Sequence, residues 1–434
     1  MLCRILLFAA LPLAAQELSL EQALSQASEN NRTLAASRLE VKKSDLEIEV
    51  ARTYRLPTLK FNLYEAQLLH PVNIDFPAGI WGVYPATGPI PAQNTSVTTP
   101  RHPITLVGAD FSQPISFLHR IGVGIHLKET ESNAARERLR AVEQSVASEV
   151  RKAYYRILQT ESALAANENT IKTLRELSRV AAENAAQRVV LKSEELEMKA
   201  RLAKSEYDSA SLQLGLATQK EQLNDLMGRD ARTEFSVRTL AAPSLDAADL
   251  AAARTQALAQ RPEIREAKLK VTEAQQDRSL KKSEYTPEVS FDLSYMSTFR
   301  INGAPQNIAA AGFTVKWDIL DWGRRKKELG IKSFTIDQAR IAVQNIESQV
   351  LMEVEGHYRK LDESRQLLRV MQMAQETARE KVRVATERYS TASVLLKDLL
   401  EAQASMSDAD YQYQQALSSY LTAHADFEKA MGNQ

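Results

Sequence analysis

Residues 139–164 read LRAVEQSVASEVRKAYYRILQTESAL, and residues 343–368 read VQNIESQVLMEVEGHYRKLDESRQLL. In the first, Leu139, Val142, Val146, Val150, Ala153, Ile157 and Leu164 recur at steps of three, four or seven; Val343, Ile346, Val350, Val354, Leu361 and Leu368 repeat the stripe in the second. That spacing puts the apolar side chains on one face of a helix. The face is narrow and the rest is Ala, Glu, Lys, Arg and Gln, which suits helices packed in a coiled-coil-like layer.

The two stretches belong to a longer match. At a shift of 204 residues Gly108 falls on Gly312, Tyr154 on Tyr358, Leu191 on Leu395 and Met227-Gly228 on Met431-Gly432. Upstream the shift becomes 230, with Leu39 on Leu269, Pro57 on Pro287, Phe61 on Phe291 and Leu63 on Leu293. The first copy therefore carries 26 extra residues between Leu63 and Gly108, in a stretch that holds seven of the 14 prolines. The chain is two copies of one unit, a reading that precedes any element assignment.

Four short segments alternate instead with period two. Leu59, Phe61 and Leu63 alternate with Thr58, Lys60, Asn62 and Tyr64; Val107, Ala109 and Phe111 with Gly108, Asp110 and Ser112. Val289, Phe291, Leu293 and Tyr295 alternate with Glu288, Ser290, Asp292 and Ser294, and Phe313, Val315, Trp317 and Ile319 with Thr314, Lys316 and Asp318. These predict strands at about 58–64, 105–113, 288–295 and 312–319. A soluble sandwich would alternate in the same way, but every segment here carries a charge on its polar face, as a strand with water on one side and lipid on the other would.

No proline occurs from residue 115 to 242 or from 306 to 434, so two long segments lack the usual helix breaker. A helix over about 124–187 would be roughly 96 Å long at 1.5 Å per residue. It would return along 192–227, pass a non-helical patch from Gly228 to about Leu250, and resume over about 256–285. In the second copy the helices fall at about 328–390 and 394–431, and the N-terminal helix at about 31–55 supplies the missing piece. The expected organisation is a leader at 1–15, a first repeat at 16–228, an equatorial connector at 229–255 and a second repeat at 256–434.

Composition narrows the function. The chain has 434 residues with 55 Lys+Arg against 55 Asp+Glu, so no basic excess exists to displace counterions from a nucleic acid. Its one cysteine, Cys3, excludes disulfide frameworks and cysteine metal sites. Residues 1–15, MLCRILLFAALPLAA, place one Arg before an apolar run and small residues, which predicts a secretory signal cleaved after Ala15. Beyond it no run of 18 apolar residues is present, so any membrane segment would be β-structure. The six histidines make no metal-binding pattern, no Gly-rich phosphate loop appears, and no carboxylate pairs with a nucleophile. No cofactor, metal or catalytic residue is expected.

Several motifs together carry a resemblance. Leu18-Ser-Leu-Glu-Gln-Ala-Leu24 is followed by Asn30-Asn31, and its second-copy counterpart is Gln256-Ala-Leu258 with Arg261-Pro262-Glu263. Trp317-Asp-Ile-Leu-Asp-Trp-Gly-Arg-Arg325 leads from the last strand into a helix, and Tyr389 precedes Val394-Leu-Leu-Lys-Asp398-Leu-Leu-Glu401-Ala-Gln403. Over nearly the whole chain these resemble the TolC-like outer-membrane efflux proteins, the outer membrane factors. The resemblance implies a mainly α chain with a β-barrel: four strands per chain in a 12-stranded barrel of a homotrimer, continuous with a periplasmic tunnel of helical hairpins. It implies a passive duct in outer-membrane lipid, with a periplasmic adaptor protein and an inner-membrane pump as partners in efflux or type I secretion. Oligomerisation follows independently, since four strands enclose no usable lumen and an open edge is forbidden in lipid.

The same resemblance maps Asp398 and Glu401 onto acidic rings that narrow the tunnel entrance, with Glu194 and Glu197 as their first-copy counterparts. Tyr389 matches a tyrosine of the family's closing latch, whereas Val394 stands where the latch arginine belongs. The turns carrying Val189, Val190 and Leu191, and Val394 and Leu395, are the expected adaptor-docking tips. Trp317 and Trp322 suit an aromatic belt at the membrane interface. Phe76, Trp81 and Tyr84 lie in the external loop 65–104, where three readings stand open: a cover over the barrel mouth, a site for a surface partner, or an ordered surface loop. A soluble periplasmic coiled-coil scaffold, or an adaptor, would account for the helices. The scaffold leaves the two-faced strands unexplained, and an adaptor would have one hairpin instead of two.

Overall fold

The computed structural model describes residues 16–187, 191–239, 249–302, 304–391 and 393–433. The chain runs β1 (Gln16–Leu18), α1 (Leu20–Asn30), α2 (Arg32–Thr53), β2 (Thr58–Gln67), β3 (Val72–Phe76), β4 (Val83–Tyr84), β5 (Gly88–Pro89), β6 (Thr95–Thr99), β7 (Pro103–Pro114) and α3 (Leu118–Ala186). It continues with α4 (Lys192–Leu226), β8 (Phe235–Val237), α5 (Leu250–Gln260), α6 (Pro262–Ser283), β9 (Glu288–Phe299), β10 (Asn307–Lys316), α7 (Arg324–Ser390) and α8 (Leu396–Met431). Residues 1–15, read as the export leader, lie outside the described residues, as do Val189 and Val190 of the first tip. Two compact units result: a helical unit of residues 16–42, 133–268 and 340–433, and a strand unit of 43–132 and 269–339.

The opening motif has a local physical cause. Ser19 Oγ accepts the N–H of Gln22 at 3.2 Å while Gln22 Oε1 accepts the N–H of Ser19 at 3.0 Å, a reciprocal cap that starts α1. One extended residue then breaks the helix: Asn31 has ψ 128°. Its Oδ1 accepts the N–H groups of Thr33 at 2.9 Å and Leu34 at 3.1 Å, opening α2. The expected single helix over 31–55 is thus the second of two. The second copy breaks in the same way at Arg261, ψ 122°, between α5 and α6.

Each joint receives the end of a returning helix. Asn31 Nδ2 donates to the carbonyl of Leu226 at 2.8 Å, and Arg261 donates to that of Lys429 at 3.3 Å. Both returning helices stop at a left-handed glycine, Gly228 (φ 69°) and Gly432 (φ 86°). A Cβ on Gly228 would stand 2.3 Å from the Asn30 carbonyl oxygen, so glycine is required there by contact as well as by conformation.

Two apolar clusters fill the helical unit, one per copy. Val146, Val150, Ala153 and Ile157 of α3 pack with Leu18, Leu34, Leu223, Met227 and Phe235. Val350, Val354, Leu361 and Leu368 of α7 pack with Ala257, Ile264, Tyr420 and Phe427. Each fully buried aliphatic side chain contributes about 1.5–3 kcal/mol. The first cluster has an addition that the second lacks among the described residues. β1 and β8 pair in parallel, Gln16 opposite Phe235 and Leu18 opposite Val237. Fully buried Tyr154 directs its hydroxyl at the carbonyls of Leu18 (2.9 Å) and Arg238 (2.8 Å), so the connector expected to be non-helical is tied down by a strand. Burial pushes the Tyr154 phenol up from its ordinary value.

In the strand unit β10, β9, β7 and β2 form one antiparallel sheet in that order, so β2 and β10 are its edges. The Pro-rich stretch between β2 and β7 has structure of its own. β3 pairs with β6, β4 pairs with β5, and the Phe76 and Trp81 rings pack with centroids 5.0 Å apart.

Candidate functional site

The register of the sheet sorts its side chains cleanly. Leu59, Phe111 and Leu293 lie opposite one another on one face, as do Phe61, Ala109 and Tyr295, with Phe291 opposite Phe313 and Val289 opposite Val315. The other face is polar toward the helix-bearing end: Lys60 stands opposite Asp110, Ser112 opposite Asp292, and Glu288 opposite Lys316. Asn62 Nδ2 donates to Asp110 at 2.9 Å, and Ser290 Oγ donates to Asp292 at 2.8 Å. One face is made for hydrocarbon and the other for water.

Trp317 and Trp322 follow β10. Trp317 Nε1 donates to the Tyr285 carbonyl at 3.3 Å, and Trp322, 87% exposed, takes the left-handed conformation (φ 55°) just ahead of Gly323. Arg325 explains why this motif is assembled as it is. Its buried guanidinium donates to the carbonyls of Glu284 (3.0 Å) and Asp318 (2.7 Å), pairs with the Asp321 carboxylate (3.2 Å) and lies over the Tyr285 ring. Sequence reading noticed the motif but not this clamp. The available signal was an Arg following two acids and a glycine at a strand end.

The tip residues are distributed along helices of the helical unit. Asp398 and Glu401 are both exposed, one turn apart on α8. The Asp398 carboxylate accepts the N–H of Leu395 at 3.1 Å and so caps its own helix, a second role that Asp at the third helical position could have signalled. Tyr389 is exposed in the last turn of α7, and Ser393 N–H closes the turn onto the Arg388 carbonyl at 2.9 Å. Val394 and Asp398 line a groove of about 690 Å³ with Glu376, Glu380, Lys381 and Arg388 of α7. Leu395 is exposed.

In the first copy Leu191 is exposed ahead of α4, Glu194 lies in the first turn of α4, and Glu197 pairs with Arg201 at 2.6 Å. Glu195, which sequence reading passed over, is the buried acid of this tip. Lys192 at 2.6 Å and Lys199 at 2.7 Å hold its carboxyl below the usual range. Among the described residues no group of acids, histidines or cysteines could hold a metal ion, and no helix is long and apolar enough to cross a membrane.

A mainly helical chain with a two-faced sheet of four strands, duplicated end to end, defines a class of membrane-inserted duct proteins. The outer membrane efflux protein family matches residues 23–229 and 253–433, and the chain belongs to that family. It is an outer-membrane transport protein and not an enzyme. Solved structures share its fold. The CmeC outer membrane channel of Campylobacter jejuni aligns at TM-score 0.76 and 16% identity, over 95% of this chain and 85% of that one. The open state of the MtrE outer membrane channel of Neisseria gonorrhoeae aligns at 0.71 and 18%, over 95% and 89%. The VceC outer membrane protein of Vibrio cholerae aligns at 0.70 and 15%, over 95% and 96%. No curated protein sequence matches the chain.

Proposed function

We propose that the chain is the exit duct of a tripartite efflux or type I secretion system: a homotrimer whose strands make one 12-stranded barrel in the outer membrane and whose helices line a periplasmic tunnel. One observation carries the reading. Toward its helix-bearing end the sheet has charged residues on one face and apolar residues on the other, and it has two edge strands, β2 and β10. Lipid on the apolar face leaves no water to satisfy those edges, so each must pair with a strand of another copy. Strands of 10 to 12 residues fit the membrane, where about 9–11 tilted residues are needed.

The helices support the same assembly. Leu39, Leu46 and Val50 on α2, Tyr207 and Leu214 on α4, and Ile331, Phe334, Ile341 and Met352 on α7 are exposed in the single chain. Different helices carrying unpartnered apolar stripes fit a head-to-tail contact that closes into a ring. Transport energy comes from an inner-membrane pump reached through a periplasmic adaptor, with Leu191, Val394 and Leu395 at the docking tips. Val189 and Val190 belong to the same turn in sequence.

The gate is assigned to the tip. Three copies of Asp398 and Glu401 around one axis favour cations there, with Glu194 and Glu197 in the flanking hairpins. Tyr389 stands beside the turn as a latch element, without an arginine at Val394. The assembly is tested by the mass of the protein extracted in detergent: a particle of three chains is expected, and a monomer released without detergent would point instead to a soluble scaffold. For the gate, Asp398→Asn with Glu401→Gln should abolish block of single-channel conductance by a trivalent cation added to the periplasmic side. Unchanged block removes these acids from the gate.

A further inference from the structure

The two faces of the sheet exchange character along the strands. Toward the helices the duct face carries Lys60, Asp110, Asp292 and Lys316. From the rung joining Asn62, Gly108, Met296 and Ile308 outward it carries no charge. A hollow of about 380 Å³ on that face is lined by Tyr64, Leu106, Met296 and Ile308, with Asn62, Asp110 and Ser294 at its helix-bearing side. Tyr64 is 58%, Met296 42% and Ile308 39% exposed, although the intervening loop is folded. On the opposite face polar residues enter at this height: Ser297 and Asn307 continue the rung of Leu63 and Val107, and Glu65 and Thr105 stand beside Phe299 on the rung beyond. The polar row marks where hydrocarbon ends. At that height Tyr64, Met296 and Ile308 form an apolar collar that stays exposed, while Ile104 and Thr298 of the same face are buried within their own chain.

A matching surface exists. The loop over 68–102 contains one acid, Asp75, and one Arg, Arg101, in 35 residues. It exposes Leu69, Ile80, Trp81 and Val83 around its nested hairpins. It also springs from β2, an edge strand. In a ring of copies, β10 of one chain lies beside β2 of the next, so Ile308 of one and Tyr64 of the other continue the collar across the seam from which the loop emerges.

We propose that the apolar loop 68–102 of one copy seats on the collar formed by Tyr64, Met296 and Ile308 of adjoining copies, sealing the outer mouth of the duct. The inference rests on the shared-barrel reading above. It adds a second closure, opposite the tip and held by apolar contact in place of acidic rings. Neutral apolar surfaces are the ones that exclude hydrated ions on meeting, and a loop without a charge cluster is not repelled by its two symmetry mates.

Cys3 in the leader is the only native cysteine, so thiol probes are specific. Trp81→Cys with Ile308→Cys, in the full chain in the outer membrane, should give two- and three-chain adducts with a short bis-maleimide, while Ile308→Cys alone gives none. Single chains only, from a particle with the mass of three, overturn the seal and leave the duct reading intact; a one-chain particle overturns both. In a second measurement, Ile80→Ser, Trp81→Ser and Val83→Ser together should raise alkylation of Ile308→Cys by a charged maleimide roughly tenfold, the change produced by losing about 1.4 kcal/mol of contact. Equal rates overturn the seal. So does protection of Ile308→Cys by tetraphenylphosphonium without any adduct, which assigns the collar to amphiphilic cargo.

Discussion

The two copies of the repeat solve the same joints with different chemistry. At the strand-to-helix turn, Gln113 of the first copy donates to the Arg55 carbonyl at 3.1 Å, while Trp317, its counterpart at the 204-residue shift, donates to the Tyr285 carbonyl at 3.3 Å. Lower down, Lys128 pairs with Glu47 at 3.1 Å where Lys332 pairs with Asp277 at 2.6 Å. At the helix breaks, neutral Asn31 stands where the second copy has Arg261, whose buried guanidinium also meets Glu263 at 3.0 Å and Glu353 at 2.8 Å. Bonds directed at backbone carbonyls persist while the donor changes. What the fold demands at these places is a satisfied helix end, and an amide, an indole or a guanidinium can supply the donor.

The sharpest way to break the comparison is at its glycines. Gly228→Ala should cost about 3 kcal/mol or more, since left-handed backbone and a clash with the Asn30 carbonyl combine. Gly432→Ala meets the Gln260 backbone at 3.2 Å, a tight contact short of a clash, and should cost about 2 kcal/mol, mostly the conformational part. Thermal unfolding of the detergent-extracted protein ranks them, and equal shifts would mean that the two joints are not packed differently.

Next comes the donor itself. Arg261→Ala should cost about 2 kcal/mol, as a charged donor to two carboxylates and a carbonyl is lost. Asn31→Ala should cost about 1 kcal/mol, the usual price of a helix cap. Added salt should narrow that gap by screening the half-exposed carboxylates of Glu263 and Glu353. A gap that salt leaves unchanged would show that the second joint is not held by its charges.

The smallest effect is confined to the first tip. The lowered value of Glu195 means that its stabilisation is fully present above the ordinary glutamate value of about 4.3 and is lost as pH falls through the lower folded value. Protection of the amides over residues 192–200, taken against the intrinsic exchange rate at each pH, should fall on acidification in the native protein. In Glu195→Gln the protection should start lower and respond less. Identical acid responses in the two proteins would remove Glu195 from the tip's stability.

Much of the architecture is legible in the sequence because its elements are long enough to display a period. The α3 and α7 stripes each contain residues such as Val150 and Val354 that are fully buried, and the helix-bearing halves of the strands alternate, whereas the outer half of β10, Asn307 to Ala311, does not and lies outside the expected strand at 312–319. The three-residue β1 and β8 cannot show alternation and are specified by Tyr154, which lies 136 and 84 residues from the two carbonyls it meets. The break at Asn31 is hidden because a single extended residue leaves both flanking patterns helical. The tip is least legible. Asp398 reads equally as a ring acid and as a helix cap, and one chain's sequence does not say how copies meet around an axis.

The sheet also imposes an order of events on synthesis. β7 pairs with β9, joining Thr105 to Phe299, and Ser116 Oγ then accepts the N–H of Val289 at 2.7 Å. Neither edge of the first strand pair is completed until the second repeat has been made and exported. Loop closure over nearly two hundred residues is slow, and the waiting hairpin exposes Leu59, Phe61 and Leu63 in an aqueous compartment. A chain with β2 and β7 out and β9 not should therefore be the stage most prone to aggregate and most protected by a holding chaperone, which crosslinking of pulse-labelled chains during export would check.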